Sequence, residues 1–337
     1  VAQEGDGVFQ LPVAGPKHLI FHVDEAHHGQ RLDRFLTAVC PAISRGDWKR
    51  IISVGGVHLD GRRMSQCSLP IAAGCSVEVF IDGRPLEKWL PTDEQILWRD
   101  DYLLALNKPA GIDCQPTPAR FQGTVYQGVL DLLGRRHRFG RKPEIGMVQR
   151  LDRDTSGVMV FSIHPRAHRG LTRQFSEHSA RKFYLALVHG RPEVENGEFR
   201  SCLARIRATN LVRSVERGGR HAHTRYRVLQ SSEQASLVLV EPVTGRSHQI
   251  RAHFSEAGCP LVGDVKYGGD PALAGVDLAG HLLHAWRLAI NHPVTGEPMV
   301  LAAPLPVLWR RLLACLELDL PDASSVGDMG GPTVGSV

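Results

Sequence analysis

Apolar and polar positions along the chain follow two periods in turn. Residues 18–23, His-Leu-Ile-Phe-His-Val, read as a first strand. Over residues 31–39 the apolar side chains Leu32, Phe35, Leu36 and Val39 recur at i, i+3, i+4 and i+7, one stripe of a helix. Pro41 stops it. Ser44 with Asp47 three residues on predicts a capping box, and Trp48, Ile51 and Ile52 supply the apolar face of a second helix that ends at Gly55-Gly56. Val57-His58-Leu59 runs into Asp60-Gly61, a hairpin turn signal. Residues 75–81 form a strand with Val77 and Val79 on one face. The pattern predicts a small ααβ module over 22–84, after a loose Gly- and Pro-rich segment 1–21.

Residues 85–93 read as a linker, and a larger domain runs from 94 to 317. Its first strand, residues 103–106, enters Asn107-Lys108-Pro109-Ala110-Gly111, a turn in which proline fixes φ and glycine allows positive φ. Val125, Val129, Leu132 and Leu133 suit a helix. Strand-like runs follow at 157–161, 183–188, 226–229 and 236–240. Residues 247–257 read as a helix stopped by Gly258, and Leu305, Leu308, Trp309, Leu312, Leu313 and Leu316 mark a last amphipathic helix. The Gly- and Ser-rich stretch 321–337 predicts a disordered tail. Strands and helices are irregularly interspersed and no repeat occurs. The expected class is α+β, with a largely antiparallel mixed sheet flanked by helices and loops.

Composition narrows this reading. A chain of 337 residues allows about two domains at ~100–200 residues each. No apolar run reaches the ~18–20 residues of a membrane span, and the first residues lack a secretory pattern, so no membrane association is expected. The 7 cysteines are odd in number, widely spaced and without C-x-x-C, which argues against a disulfide framework or a cysteine zinc site and for a reducing, cytoplasmic setting. The net charge of +5 is mild, but its distribution is not. Residues 29–90 hold 9 basic and 6 acidic side chains, with Arg45, Lys49 and Arg50 on the second predicted helix. Arg135, Arg136 and Arg138, with Arg141 and Lys142, form one basic strip. Between Leu203 and Arg227 lie 7 arginines, counting Arg227, and one acid, Glu216. Such strips are either solvated faces or phosphate contacts.

The densest polar phrase is Gln149-Arg150-Leu151-Asp152-Arg153-Asp154-Thr155-Ser156-Gly157. In extended backbone Arg150, Asp152 and Asp154 project to one side. A carboxylate among arginines stays ionised and can serve as nucleophile or base. Asp154-Thr155-Ser156-Gly157 is equally good turn chemistry. A second phrase is Thr244-Gly245-Arg246-Ser247-His248-Gln249-Ile250-Arg251-Ala252-His253. In a helix His248 and Arg251 share a face. His248 and His253 are five apart and miss the i, i+4 zinc spacing, so no metal site is expected.

These phrases together resemble the RluA-type pseudouridine synthase family over nearly all of residues 22–317. Further matching phrases are Arg181-Lys182-Phe183-Tyr184, Gly263-Asp264-Val265-Lys266-Tyr267-Gly268, Leu283-His284-Ala285 and His292-Pro293. The module 22–84 is similar to the S-four-like RNA-binding domain, with Asp60 where that domain usually has Asn. The resemblance implies a pseudouridine synthase catalytic domain, with Asp152 as catalytic aspartate, Tyr184 as active-site tyrosine and Arg251 as the aspartate's basic partner. It places Arg150, Asn107, Lys108, His248 and Arg246 toward the substrate, and Arg45, Lys49, Arg50, Arg135, Arg136 and Arg138 toward RNA. Gln149 and Gln115 stand where the family usually has His, and glutamine cannot take a positive charge.

The implied reaction isomerises uridine in structured RNA, gains and loses no atoms, and needs no cofactor. Large-subunit ribosomal RNA is the expected substrate of a monomeric enzyme, with transfer RNA as the alternative. A non-catalytic RNA-binding or ribosome-assembly protein on the same fold is a reading of another class, and an aspartate-dependent hydrolase a third.

Overall fold

The computed structural model describes residues 15–134 and 144–320. Most of the loose N-terminal segment, the basic strip of Arg135, Arg136, Arg138, Arg141 and Lys142, and the tail 321–337 lie outside the described residues. The chain divides into two units, Val1–Pro91 with Asp113–Lys142, and Thr92–Ile112 with Pro143–Val337.

In the first unit, β1 (Lys17–His22), β2 (Val57–Leu59), β3 (Arg62–Met64) and β4 (Ser76–Ile81) form an antiparallel sheet in the order β1-β4-β2-β3. Two helices, α1 (Leu32–Val39) and α2 (Arg45–Val54), bury Leu32, Phe35, Leu36, Trp48, Ile51 and Ile52 in one core with Val57, Val77 and Val79. The caps explain the helix ends. Ser44 Oγ accepts from the Asp47 amide at 3.2 Å and donates to the Asp47 carboxylate at 2.6 Å, and Gly55 closes α2 at φ 93°. Asp60 and Gly61 both have positive φ, as a two-residue hairpin needs.

Residues 113–134, read from sequence as part of the larger domain, group with this unit. The Phe121 amide donates to the Val54 carbonyl at 2.6 Å, and Arg120 grips Asp82 through two bonds of 2.7 and 2.8 Å. The expected linker packs too. Gly128 of α3 (Val125–Gly134) lies so close to Trp89 that an added Cβ would stand 2.8 Å from its ring.

The second unit is built on an 11-stranded sheet. Its strands are β5 (Ile96–Arg99), β6 (Leu103–Lys108), β7 (Gly146–Met147), β8 (Ser156–Ser162), β9 (Arg181–His189), β10 (Asn196–Ile206), β11 (Leu211–Ser214), β12 (Arg220–Ser231) and β13 (Ala235–Pro242), with β16 and β17 later. A separate two-stranded ribbon pairs β14 (Ala272–Leu273) with β15 (Val276–Asp277), and β16 (Leu283–Asn291) and β17 (Pro298–Ala302) complete the main sheet. The order is β11-β10-β12-β13-β9-β16-β8-β6-β5, with β17 beside β16 and β7 beside β8. Every pairing is antiparallel except β8 with β16, as the largely antiparallel expectation required.

Helices cover the sheet. Alternate residues of β9 serve opposite faces, because side chains alternate along a strand. Phe183, Leu185 and Leu187 pack with Trp309, Leu312 and Leu313 of α6 (Val307–Cys315). Tyr184, Ala186 and Val188 pack with Ile250 and Phe254 of α5 (Gln249–Glu256). Before them in the chain, α4 (Pro165–Ser176) covers Val158 and Val160 of β8 with Ala167 and Leu171.

Three expectations are corrected. Helix α5 starts at Gln249 rather than residue 247, because His248 adopts the left-handed conformation at φ 52° and ends the preceding turn. Sequence pattern also passes over β10, β11 and β16–β17 as strands. On β10 open and covered residues alternate from Asn196 to Leu203, but the covered positions include Gly197 and Ser201, so the apolar signal is thin. It passes over α4, whose fully buried stripe is only Ala167 and Leu171.

Candidate active site

The catalytic candidate sits in the loop that enters β8. The Thr155 amide donates to the Asp152 carbonyl at 3.1 Å, so residues 152–155 make a tight turn. The turn breaks the extended alternation expected for Arg150, Asp152 and Asp154. Asp154 faces Arg153, which donates to it at 2.9 and 3.1 Å, and keeps its turn role. Gly157 follows at φ 112°. A Cβ there would lie 2.2 Å from the Ala285 carbonyl oxygen, so only glycine lets β8 and β16 approach.

Lys108 explains how the loop is held. Its side chain is fully buried, and its ammonium donates to the carbonyls of Pro109, Arg153 and Thr155 at 2.9, 2.7 and 2.8 Å. The Gly111 amide donates to the Arg153 carbonyl at 2.9 Å. The expected substrate contact by Lys108 is therefore corrected: the buried ammonium braces the loop from below. Asn107, half-buried on β6, pairs in register with Val158. Gln149, at a family histidine position, donates to the Val158 carbonyl at 3.3 Å.

Helix α5 supplies the partner. Arg251 Nη1 donates to Asp152 Oδ2 at 2.8 Å, across 99 residues of sequence. Its Nε and Nη2 donate to the two oxygens of Asp264 at 2.6 and 2.7 Å, and its guanidinium lies over the Tyr267 ring at 4.8 Å. Arg251 is 7% exposed and Asp264 2%, so the guanidinium is fixed between two carboxylates. The Asp152 side chain is 26% exposed, which leaves its carboxylate an open side.

Burial pushes the Asp152 carboxyl up, but the charges of His248 and Arg251 and the hydrogen bond from Arg251 outweigh it and hold it below the usual carboxylate range. Burial also pushes the His248 ring below its usual range, against the attraction of Asp152. His248 Nε2 stands 4.0 Å from Asp152 Oδ1, while its Nδ1 is hydrogen bonded to the Tyr267 hydroxyl at 2.9 Å. The Val212 amide donates to the same hydroxyl at 2.9 Å. These contacts fix His248 in its left-handed backbone. Exposed Arg205 and Lys266 add positive potential that reaches His248. Behind the turn, buried His281 is bonded to Thr155 Oγ1 at 2.7 Å, and its pKa is pushed down to about 4, chiefly by burial.

Tyr184 is half-buried on the α5 face of β9. The register runs from Tyr184 to Ala285, from Ala285 to Gly157 and from Gly157 to Lys108. The tyrosine thus stands two strands from the point where the Asp152 loop enters the sheet. Arg150 is exposed ahead of that loop. Arg246 is half-buried, and its Nε donates to the His221 carbonyl at 2.8 Å. In the first unit Arg45, Lys49 and Arg50 are all exposed; Arg45 donates to Asp33 at 3.1 and 2.9 Å, and Arg50 pairs with Asp47 at 3.7 Å.

Sequence reasoning assigned no role to Asp264, Tyr267, His281 or Gln249. The Gln249 amide makes four hydrogen bonds, to Thr244, the Arg246 amide, the His223 carbonyl and Thr224, and so ties the start of α5 to β12. Asp264 and Tyr267 lay within a matched phrase, but nothing in their spacing points to Arg251.

A family model described as RNA pseudouridylate synthase matches residues 102–256. A protein of Synechocystis named as an uncharacterized RNA pseudouridine synthase is 35% identical over 310 residues, covering 89% of this chain and 93% of its own length. Ribosomal large subunit pseudouridine synthase D of Nitrosomonas europaea is 32% identical over 96% of this chain and 92% of its own. The corresponding enzyme C of Yersinia pestis is 35% identical over 87% and 93%. Among solved structures, human RNA pseudouridylate synthase domain containing 4 superposes with a TM-score of 0.56 at 26% identity, over 67% of this chain and 94% of that one.

Proposed function

The chain belongs to the RNA pseudouridine synthase family and is an isomerase acting on RNA, and on that premise we propose that it converts uridine to pseudouridine through Asp152, most directly in large-subunit ribosomal RNA. The observation that carries the assignment of Asp152 is its part-open carboxylate, bonded to a buried guanidinium at 2.8 Å. The reaction breaks the bond from the ribose C1′ to N1 of uracil, turns the base, and joins C5 to C1′. The proton of C5 leaves and N1 gains one, so atoms balance.

An ionised carboxylate acts at the ribose, and Arg251 supplies both its charge state and its aim. Tyr184 offers a ring face for the base and a hydroxyl for the proton leaving C5. The target nucleotide leaves its stack to reach the site, at a cost of roughly a few kcal/mol that is smaller in an unpaired loop. Phosphate contacts offset it. Exposed Arg150, Arg205 and Lys266 around Asp152, with Lys49 and Arg50 of α2, are the candidate cations.

Large-subunit ribosomal RNA is preferred over transfer RNA because relatives spanning nearly the whole chain carry that name. The paired, part-open Asp152 speaks against a purely RNA-binding role. The cysteines are free thiols, in keeping with a reducing cytoplasm. Among the described residues no helix is long and apolar enough to cross a membrane.

The test is Asp152→Asn. Tritium release from RNA labelled at carbon 5 of uridine is expected to fall to background while RNA binding persists. Full activity in that variant removes Asp152 from the mechanism.

A further inference from the structure

The ladder between β9 and β13 ends at the pair Tyr184–Val240. Next to it lies a recess of about 180 Å³, lined among others by His178, Arg181, Lys182, Arg225 and Glu241. Its volume equals about six waters at ~30 Å³ each, enough for a phosphate group with some solvent. The lining is cationic. Arg181, Lys182 and Arg225 face one acid, Glu241, whose Oε1 accepts from Arg181 Nε at 2.9 Å. Glu241 Oε2 is buried without a hydrogen-bond partner. Among the described residues the half-buried Lys182 ammonium makes no hydrogen bond or ion pair, and burial lowers its pKa. A shielded ammonium that makes no hydrogen bond and feels only the charge of Glu241 is costly, and an anion entering from solvent relieves that cost.

Position adds the second argument. Lys182 and Tyr184 are two apart on β9, so their side chains share a face, one pleat of roughly 7 Å apart. Lys182 also lies beside the turn that leads into α5, since a Cβ on Gly245 would stand 4.0 Å from its Nζ. The charge of Arg246 in that turn reaches His178 across the same space. A base resting on Tyr184 brings its neighbouring backbone phosphate to this edge of the sheet.

We propose that the recess takes one phosphodiester group of the RNA strand, next to the nucleotide at Tyr184, held by Lys182 and Arg225. The proposal rests on the reading of Asp152 and Tyr184 as the reaction site. Lys182→Gln in the full chain tests it, with a short oligouridylate for binding and deproteinised large-subunit ribosomal RNA for turnover. Expected are a plot of log affinity against log salt that is shallower by about 0.7, a KM raised about fivefold to tenfold, and kcat within about twofold of the parent.

An unchanged slope and KM overturn the proposal. So does a variant that melts far lower and regains stability, with an unaltered slope, when combined with Glu241→Gln, because Lys182 then serves only to neutralise that carboxylate. Inorganic phosphate, titrated without RNA, separates the sources. Saturation by free phosphate that leaves RNA affinity untouched assigns the recess to a small anion and overturns the RNA reading of it. A parent protein that converts no uridine fails the reaction reading alone, and the salt slopes still decide the recess.

Discussion

At the scale of single residues, two side chains that touch no substrate in this scheme decide whether Asp152 can act. Asp264 holds two of the three Arg251 nitrogens that make hydrogen bonds, so Asp264→Asn leaves the guanidinium free to swing toward Asp152 or away. We expect kcat to fall about 100-fold with RNA affinity kept, and stability to drop by roughly 3–5 kcal/mol as one half of a buried pair is lost. Single-turnover kinetics and denaturant titration check both. Lys108→Met removes the donor to three carbonyls. A loss of about 3 kcal/mol in urea unfolding, with activity reduced at least tenfold, is the expected result. Intact activity in that variant shows that the loop holds its shape unaided. The pair of Asp152 and Arg251 was legible only through the resemblance, since 99 residues separate them and no periodicity links them. Lys108 was placed toward the substrate by the resemblance alone, and only its burial reveals what its ammonium meets.

At the scale of elements, α1 and α2 were readable because their apolar stripes and caps agree with their burial. The same two helices show how their charges are arranged. Asp33, fully buried, is bonded by Arg31 and Arg45. The hydrogen bonds from Arg31 above all, with those from Arg45, hold its carboxyl at about 2. Arg45 thus joins α2 to α1, and Lys49 and Arg50 are exposed on the same helix, Arg50 with Asp47 at 3.7 Å. Replacing both by alanine is expected to weaken binding to deproteinised ribosomal RNA and to flatten its salt dependence by about 1–2, with unchanged melting. Equal slopes in filter binding count against an RNA role for α2. Strand β10 and the start of α5 were not readable, for different reasons. Strand β10 alternates in burial, but Gly197 and Ser201 take two of its covered positions, so the apolar period-2 signal is weak in the sequence. The left-handed turn at His248 depends on Tyr267 and Gln249, which act through contacts that a local pattern does not contain.

At the scale of the whole molecule, three buried histidines set the acid limit. Burial pushes His253, His281 and His284 down to about 4 each. In the unfolded chain they take up protons near 6.5. The unfolded state therefore binds more protons between those values, and stability is full above about 6.5 and falls as pH drops toward 4. The loss is roughly 3 kcal/mol for each histidine at the low end. Urea midpoints measured from pH 7 to pH 5 should decline steadily, and a flat profile contradicts the buried neutral rings. The division into two units was only half legible, because residues 113–134 join the first unit from beyond the first strands of the second. The parallel seam joins Ser156 to His284, 128 residues later. Closing so distant a contact is slow, since chain entropy is lost before the contact compensates it. A nascent chain that has emerged through residue 256 already carries Asp152, Tyr184 and Arg251, yet lacks the central strand between β9 and β8. Catalytic competence arrives only after synthesis has passed β16, so a polypeptide arrested on the ribosome earlier is inert however well its first unit has folded.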